Sequence, residues 1–102
     1  MSTAGDVRAQ AQPDASLSVT AALPNPVRTT SRFTITARRT QMVRVELHNV
    51  LGQRVQTVFD GRIDAGASQV VALSSEGLPP GLYLYRVQGD RSVVTRQVIV
   101  SH

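Results

Sequence analysis

The segment Met42–His48 alternates strictly, with Val43, Val45 and Leu47 on one side and Arg44, Glu46 and His48 on the other. A period of two gathers alternate side chains on one face of an extended strand, whereas a helix would scatter those three apolar residues around its circumference. The same signature recurs along the chain. Arg32–Ala37 sets Phe33, Ile35 and Ala37 against Arg32, Thr34 and Thr36, and Leu82–Gln88 places Tyr83, Tyr85 and Val87 on one face. Further β-rich runs cover Leu17–Leu23, Gln53–Phe59, Ser68–Leu73 and Ser92–Val100. They are separated by Pro24-Asn25-Pro26, Asn49–Gly52, Asp60-Gly61, Ala65-Gly66, Leu78-Pro79-Pro80-Gly81 and Gly89-Asp90. Strands at intervals of about a dozen residues, punctuated by turn residues, predict an all-β antiparallel β-sandwich of about seven strands.

Residues 1–16 are small and polar, with Val7 the one sizeable apolar side chain after Met1. Such a segment buries too little to offset its ordering entropy, so it reads as a flexible linker or lead to a domain over residues 17–102. The chain of 102 residues suits one domain with a modest two-layer core. With no cysteine, neither a disulfide nor a thiolate metal site can hold it together.

All 11 basic residues are arginine, against 7 acidic ones, giving a net charge of +4. Without lysine, Schiff-base chemistry is excluded. The aromatics Phe33, Phe59, Tyr83 and Tyr85 do not interleave with the arginines as a single-strand nucleic-acid platform requires, so nucleic acid is not an expected partner. A solvated polar face accounts for the arginines. His48 and His102 lack neighbours at metal-ligand spacing, and Ser74-Ser75-Glu76 has no histidine beside it to activate a hydroxyl. The segment Gly61–Gly66 has no lysine followed by Ser or Thr, as a phosphate loop needs. No catalytic residue, cofactor or metal is therefore expected, and the chain does not read as an enzyme.

Several residues stand out for other reasons. Pro24 and Pro26 fix φ and bias the residues before them toward extended conformations, so with Asn25 they form a rigid corner that ends the first strand. That corner can be purely structural or be read by a partner. Gly52 and Gly81 supply backbone freedom or close approach. Tyr83 can bury its ring and reach a backbone acceptor with its hydroxyl, the arrangement of a tyrosine corner. The last strand is apolar on both faces near its end, interrupted by Arg96-Gln97. It either completes a sheet, with Val98 and Val100 inward and Ile99 partly covered, or also offers an edge that another protein grips by strand pairing.

Leu23-Pro24-Asn25-Pro26, Val43-x-Val45-x-Leu47, Val50-x-Gly52-x-x-Val55, Gly66, Leu78-x-x-Gly81-x-Tyr83 and a terminal strand follow one another in this order. Over about residues 18–100 the chain resembles the type A C-terminal sorting domain of the type IX (Por) secretion system of Bacteroidetes-type bacteria. The resemblance implies a seven-stranded immunoglobulin-like antiparallel β-sandwich behind an unrelated N-terminal passenger, recognised in the periplasm and during outer-membrane translocation. It also implies a sortase-like surface peptidase as a partner and linkage of the passenger to an anionic lipopolysaccharide. The domain itself does no chemistry in such a system. Leu23 stands where the family often has an aromatic, Asn49 where it often has Asp, and Arg96-Gln97 where it favours Lys.

The expected function is thus a secretion and sorting signal, with Pro24, Asn25, Pro26, Asn49, Gly52, Arg96 and Gln97 as recognition candidates and Gly81 and Tyr83 as structural ones. The expected localisation is secreted or at the cell surface, with the signal peptide lying ahead of residue 1. Two alternatives compete: an adhesion or carbohydrate-associated β-sandwich module, and an immunoglobulin-like spacer of a surface protein. A binding module should expose aromatics, and the four present look committed to core or strand faces.

Overall fold

The computed structural model describes residues 16–101. The expected lead therefore lies outside the described residues except for Ser16, and so does His102. Seven strands follow in chain order: β1 (Leu17–Val19), β2 (Thr30–Ala37), β3 (Gln41–His48), β4 (Arg54–Ile63), β5 (Ser68–Ser74), β6 (Gly81–Gln88) and β7 (Val93–Val100). They form a three-stranded sheet ordered β1-β2-β5 and a four-stranded sheet ordered β4-β3-β6-β7, all neighbours antiparallel. The described residues contain no helix. The all-β class and the seven antiparallel strands in two sheets agree with the sequence reading.

The alternation seen in the sequence sorts residues between core and solvent. Phe33, Ile35, Val71 and Leu73 face inward from the first sheet. Val43, Val45, Leu47, Tyr85, Val87 and Val98 do so from the second. Each such side chain contributes about 1.5–3 kcal/mol when fully buried, which makes this the main favourable term. Phe33 and Tyr85 stack with ring centroids 4.4 Å apart and planes inclined by 27°, joining the two sheets at the centre.

Two strand boundaries depart from the sequence reading. The expected first strand, Leu17–Leu23, is regular only to Val19; pairing with β2 resumes at Leu23, opposite Arg32. Four residues advance from Val19 to Leu23 while three advance from Ile35 to Arg32, so one extra residue is accommodated as a bulge. The Tyr85 hydroxyl holds that bulge from the core. It accepts a hydrogen bond from the Ala22 amide at 3.0 Å and donates one to the Thr20 carbonyl at 3.1 Å.

The second departure is at Asp60-Gly61, a turn signal in the sequence that lies inside β4. Here Asp60 pairs with Arg44 and Gly61 with Val43, so β3 supplies a partner that overrides local turn preference. The Phe59 ring folds over Gly61, lying 3.3 Å from where a Cβ would stand. The chain turns later, at Asp64–Ala67.

Candidate recognition site

The Pro-Asn-Pro corner carries the chain from the edge of the first sheet to the edge of the second. Both X-Pro bonds, Leu23-Pro24 and Asn25-Pro26, are cis. Past the corner, Val27 meets Val100 in a parallel bridge and is itself buried. The Val27 amide donates to the Ile99 carbonyl at 2.7 Å, and the Ser101 amide donates to the Val27 carbonyl at 2.8 Å. The Asn25 side chain completes the contact: its Oδ1 accepts the Ile99 amide at 3.0 Å. Ser75 steadies the segment from the other side, its hydroxyl donating to the Arg28 carbonyl at 2.8 Å and its amide to that of Thr29 at 2.9 Å. Ser75, met in the sequence as part of a polar loop, is a structural pin.

β7 is thus the outer strand of its sheet, and the corner closes only its last residues. Val98 and Val100 point inward, whereas Ile99 is 46% exposed. Arg96 lies across the gap between the sheets, its Nε donating to the Val19 carbonyl at 3.1 Å. Gln97 is exposed and stands opposite Leu84.

The Asn49–Gly52 turn belongs to the same end of the sandwich. His48, just before it, pairs with Leu84, which pairs with Gln97. Two interstrand gaps of about 4.8 Å therefore place β3 about 10 Å from β7 at this level. Asn49 organises the turn: its Oδ1 accepts the amides of Leu51 at 2.9 Å and Gln53 at 3.0 Å. Gly52 has φ +82°, in the left-handed region, and no atom lies within 4 Å of where a Cβ would stand, so its requirement is conformational and not steric. One ring nitrogen of His48 lies 3.2 Å from the Gly52 carbonyl, and the other lies 3.1 Å from the Glu46 carboxylate.

Gly81 and Tyr83 frame this end from β6. Gly81 pairs with Val100, and the Tyr83 hydroxyl donates to the Pro79 carbonyl at 2.6 Å, fastening the preceding loop to the strand. Leu23, Val50, Leu51, Leu82 and Ile99 all present apolar surface nearby, with Leu82 directly opposite Ile99. Arg28 and Arg32 are exposed at the same end. Ser16, by contrast, docks at the opposite end, its carbonyl accepting the Arg38 amide at 2.9 Å and its hydroxyl 3.0 Å from that of Ser92.

The sequence candidates Pro24, Asn25, Pro26, Asn49, Gly52, Arg96 and Gln97 are therefore drawn toward one end of the four-stranded sheet. Of the residues that make the clasp, Val27 was not singled out by sequence, and Ile99 only as a partly covered residue of the last strand, not as a recognition candidate. Their signal was faint: an apolar residue after a proline that cannot continue a strand, and an apolar residue on the outward side of the last strand.

The described residues contain no cluster of His, Cys, Asp or Glu able to hold a metal ion. What this end offers is shape, main-chain hydrogen bonding and apolar contact. The family model described as the secretion system C-terminal sorting domain matches residues 21–101, from the start of the corner segment through the clasped end of β7. No curated protein matches the chain. With the matched span covering the corner and all of β2 to β7, the chain belongs to the family of type IX secretion system C-terminal sorting domains.

Proposed function

We propose that this domain is the export signal of a passenger attached ahead of it, read by the type IX machinery at the end where the corner clasps the terminal strand. The observation that carries the reading is the clasp itself. Asn25 and Val27, from the Pro-Asn-Pro segment, bind Ile99 and Ser101, so two motifs far apart in the sequence form one surface. Asn49 and Gly52 contribute a rigid turn beside it, and Arg96 with Gln97 flank it along β7. Gly81 and Tyr83 serve to hold the frame.

On this reading the domain performs no catalysis and takes no cofactor. It passes from the periplasm through the outer membrane and leaves its passenger secreted or at the cell surface. The wider partners are a sortase-like surface peptidase acting ahead of Leu17, the N-terminal passenger, and an anionic lipopolysaccharide. The residues ahead of Ser16 serve as the linker, Ser16 itself being docked on the fold. A carbohydrate module gains no support, because Phe33, Tyr83 and Tyr85 are buried and Phe59 is spent on covering Gly61.

The test is a fusion of a signal peptide, a reporter and residues 16–102 in a bacterium with the type IX machinery. The reporter should reach the medium or the cell surface. Retention in the periplasm, while another sorting domain exports the same reporter, would overturn the proposal.

A further inference from the structure

Which part of β7 remains open follows from its regular pairing. All eight residues of β7 pair with β6 in register, from Gly81↔Val100 to Gln88↔Val93, without a bulge. In an antiparallel strand the amide and carbonyl of one residue point to the same side, and the next residue points to the other. Ile99 directs its amide to Asn25 and its carbonyl to Val27, away from β6. Gln97, Thr95 and Val93 must therefore direct theirs to the same free side. None of these main-chain groups has a backbone partner there among the described residues.

Two of the three other edges are less suited to accept a strand, and the third, β5, is regular like β7 but has no added bridge on it among the described residues. β4 has register shifts between Val45/Glu46 and Leu47/His48 and carries Arg54, Asp60 and Arg62, so bulges and charges blunt it. β1 is three residues long. β7 is straight, and a strand-like segment already sits on its end: the Val27 contact is a parallel bridge. The edge has thus been filled at Ile99–Ser101 by the chain itself and left open before that.

We infer that Val93–Gln97 is a strand-addition site for an extended segment of a partner polypeptide, with Asn25-Pro26-Val27 as the stop that ends the added strand before Ile99. The inference rests on the sorting-signal reading and refines it: the partner reads main-chain amides of β7, with Thr95 and Gln97 as the central positions. Strand addition gains its affinity from main-chain hydrogen bonds and its register from a fixed end. Arg96, which holds the Val19 carbonyl, keeps the open edge close to β1.

Proline removes an amide and is tolerated on the free side of an edge strand. In the export fusion, Thr95→Pro and Val93→Pro should each lower export at least tenfold while the purified variants keep cooperative melting. Thr95→Ala, which retains the amide, should be exported like the unaltered fusion. A photo-crosslinking residue in place of Thr95 should capture a component of the machinery, and one in place of Thr34, on the other sheet, should not. This second measurement needs no proline and so survives a failure of the proline variants to fold. If the unaltered fusion is exported but Thr95→Pro, shown to be folded, is exported equally well, the inference fails while the sorting reading stands. It fails as well if the residue at position 95 yields no cross-link during active export, or captures only a second copy of this chain.

Discussion

Removing the Tyr85 hydroxyl isolates the contact that ties the bulged first segment to the core. In Tyr85→Phe the ring and its stacking on Phe33 remain, and only the two hydrogen bonds of the hydroxyl are lost. Thr20 is exposed, so its carbonyl can turn to water. Ala22 is 3% exposed, so its amide is left without an acceptor. A buried donor abandoned in this way costs about 1–3 kcal/mol. For a domain of this size each kcal/mol moves the melting temperature by about 4–8 °C, which gives a fall of about 8–16 °C for a mid-range loss of about 2 kcal/mol. Tyr83→Phe is the matched control. It also deletes one hydroxyl, but Pro79 is exposed and its carbonyl is re-solvated, so the loss should be about 0.5–1.5 kcal/mol. Calorimetry or near-ultraviolet circular dichroism on both variants decides the matter. A Tyr85→Phe melting temperature within about 2 °C of the parent, or a larger loss in Tyr83→Phe, would refute the reasoning.

Three further outcomes follow from the same structure. Ser31 is fully buried with an unpartnered hydroxyl, so Ser31→Ala should leave the melting temperature unchanged or raise it, by up to about 1 kcal/mol of stability; a clear loss would show that the hydroxyl is satisfied. Burial pushes the Tyr85 phenol above its usual value, outweighing the lowering effects of the Ala22 amide and of Arg96. The folded chain then holds that proton more tightly than the unfolded chain does. This contribution to stability is complete below pH about 10 and is lost as pH rises through the folded value, a decline that denaturant titrations should show and Tyr85→Phe should diminish. Asn25→Ala should speed hydrogen exchange of the Ile99 amide in the folded protein while leaving the Val98 amide, on the β6 side, slow; unchanged Ile99 exchange would contradict the clasp.

What the sequence made legible was whatever is local. Val43, Val45 and Leu47 announce their face by alternation, and the structure buries all three. Pairing between remote segments leaves no such trace. Gly61 looks like a turn until β3 is present to pair with it and Phe59 to cover it. Leu17–Leu23 reads as one strand because the bulge that interrupts it is set by Tyr85, more than 60 residues away. The corner could be recognised from its prolines, but its contact with Ile99 could not, since nothing in either segment encodes the other. The last strand could be read as an edge for a partner, but which half of it stays open could not: that depends on what the assembled chain lays beside it.

The Asn25–Ile99 hydrogen bond spans 74 positions of the chain. During synthesis the corner emerges first, and its partner follows only after both sheets have been made. A chain interrupted before Val98 has every proline of the motif and nothing for Asn25 or Val27 to hold. The same is true of a longer chain whose two sheets have not yet come together. The clasped end is therefore a mark of completeness: it exists only on molecules that have been made through β7 and folded. On the proposed reading, a transport system that engages this end selects molecules translated through β7 and folded in this domain.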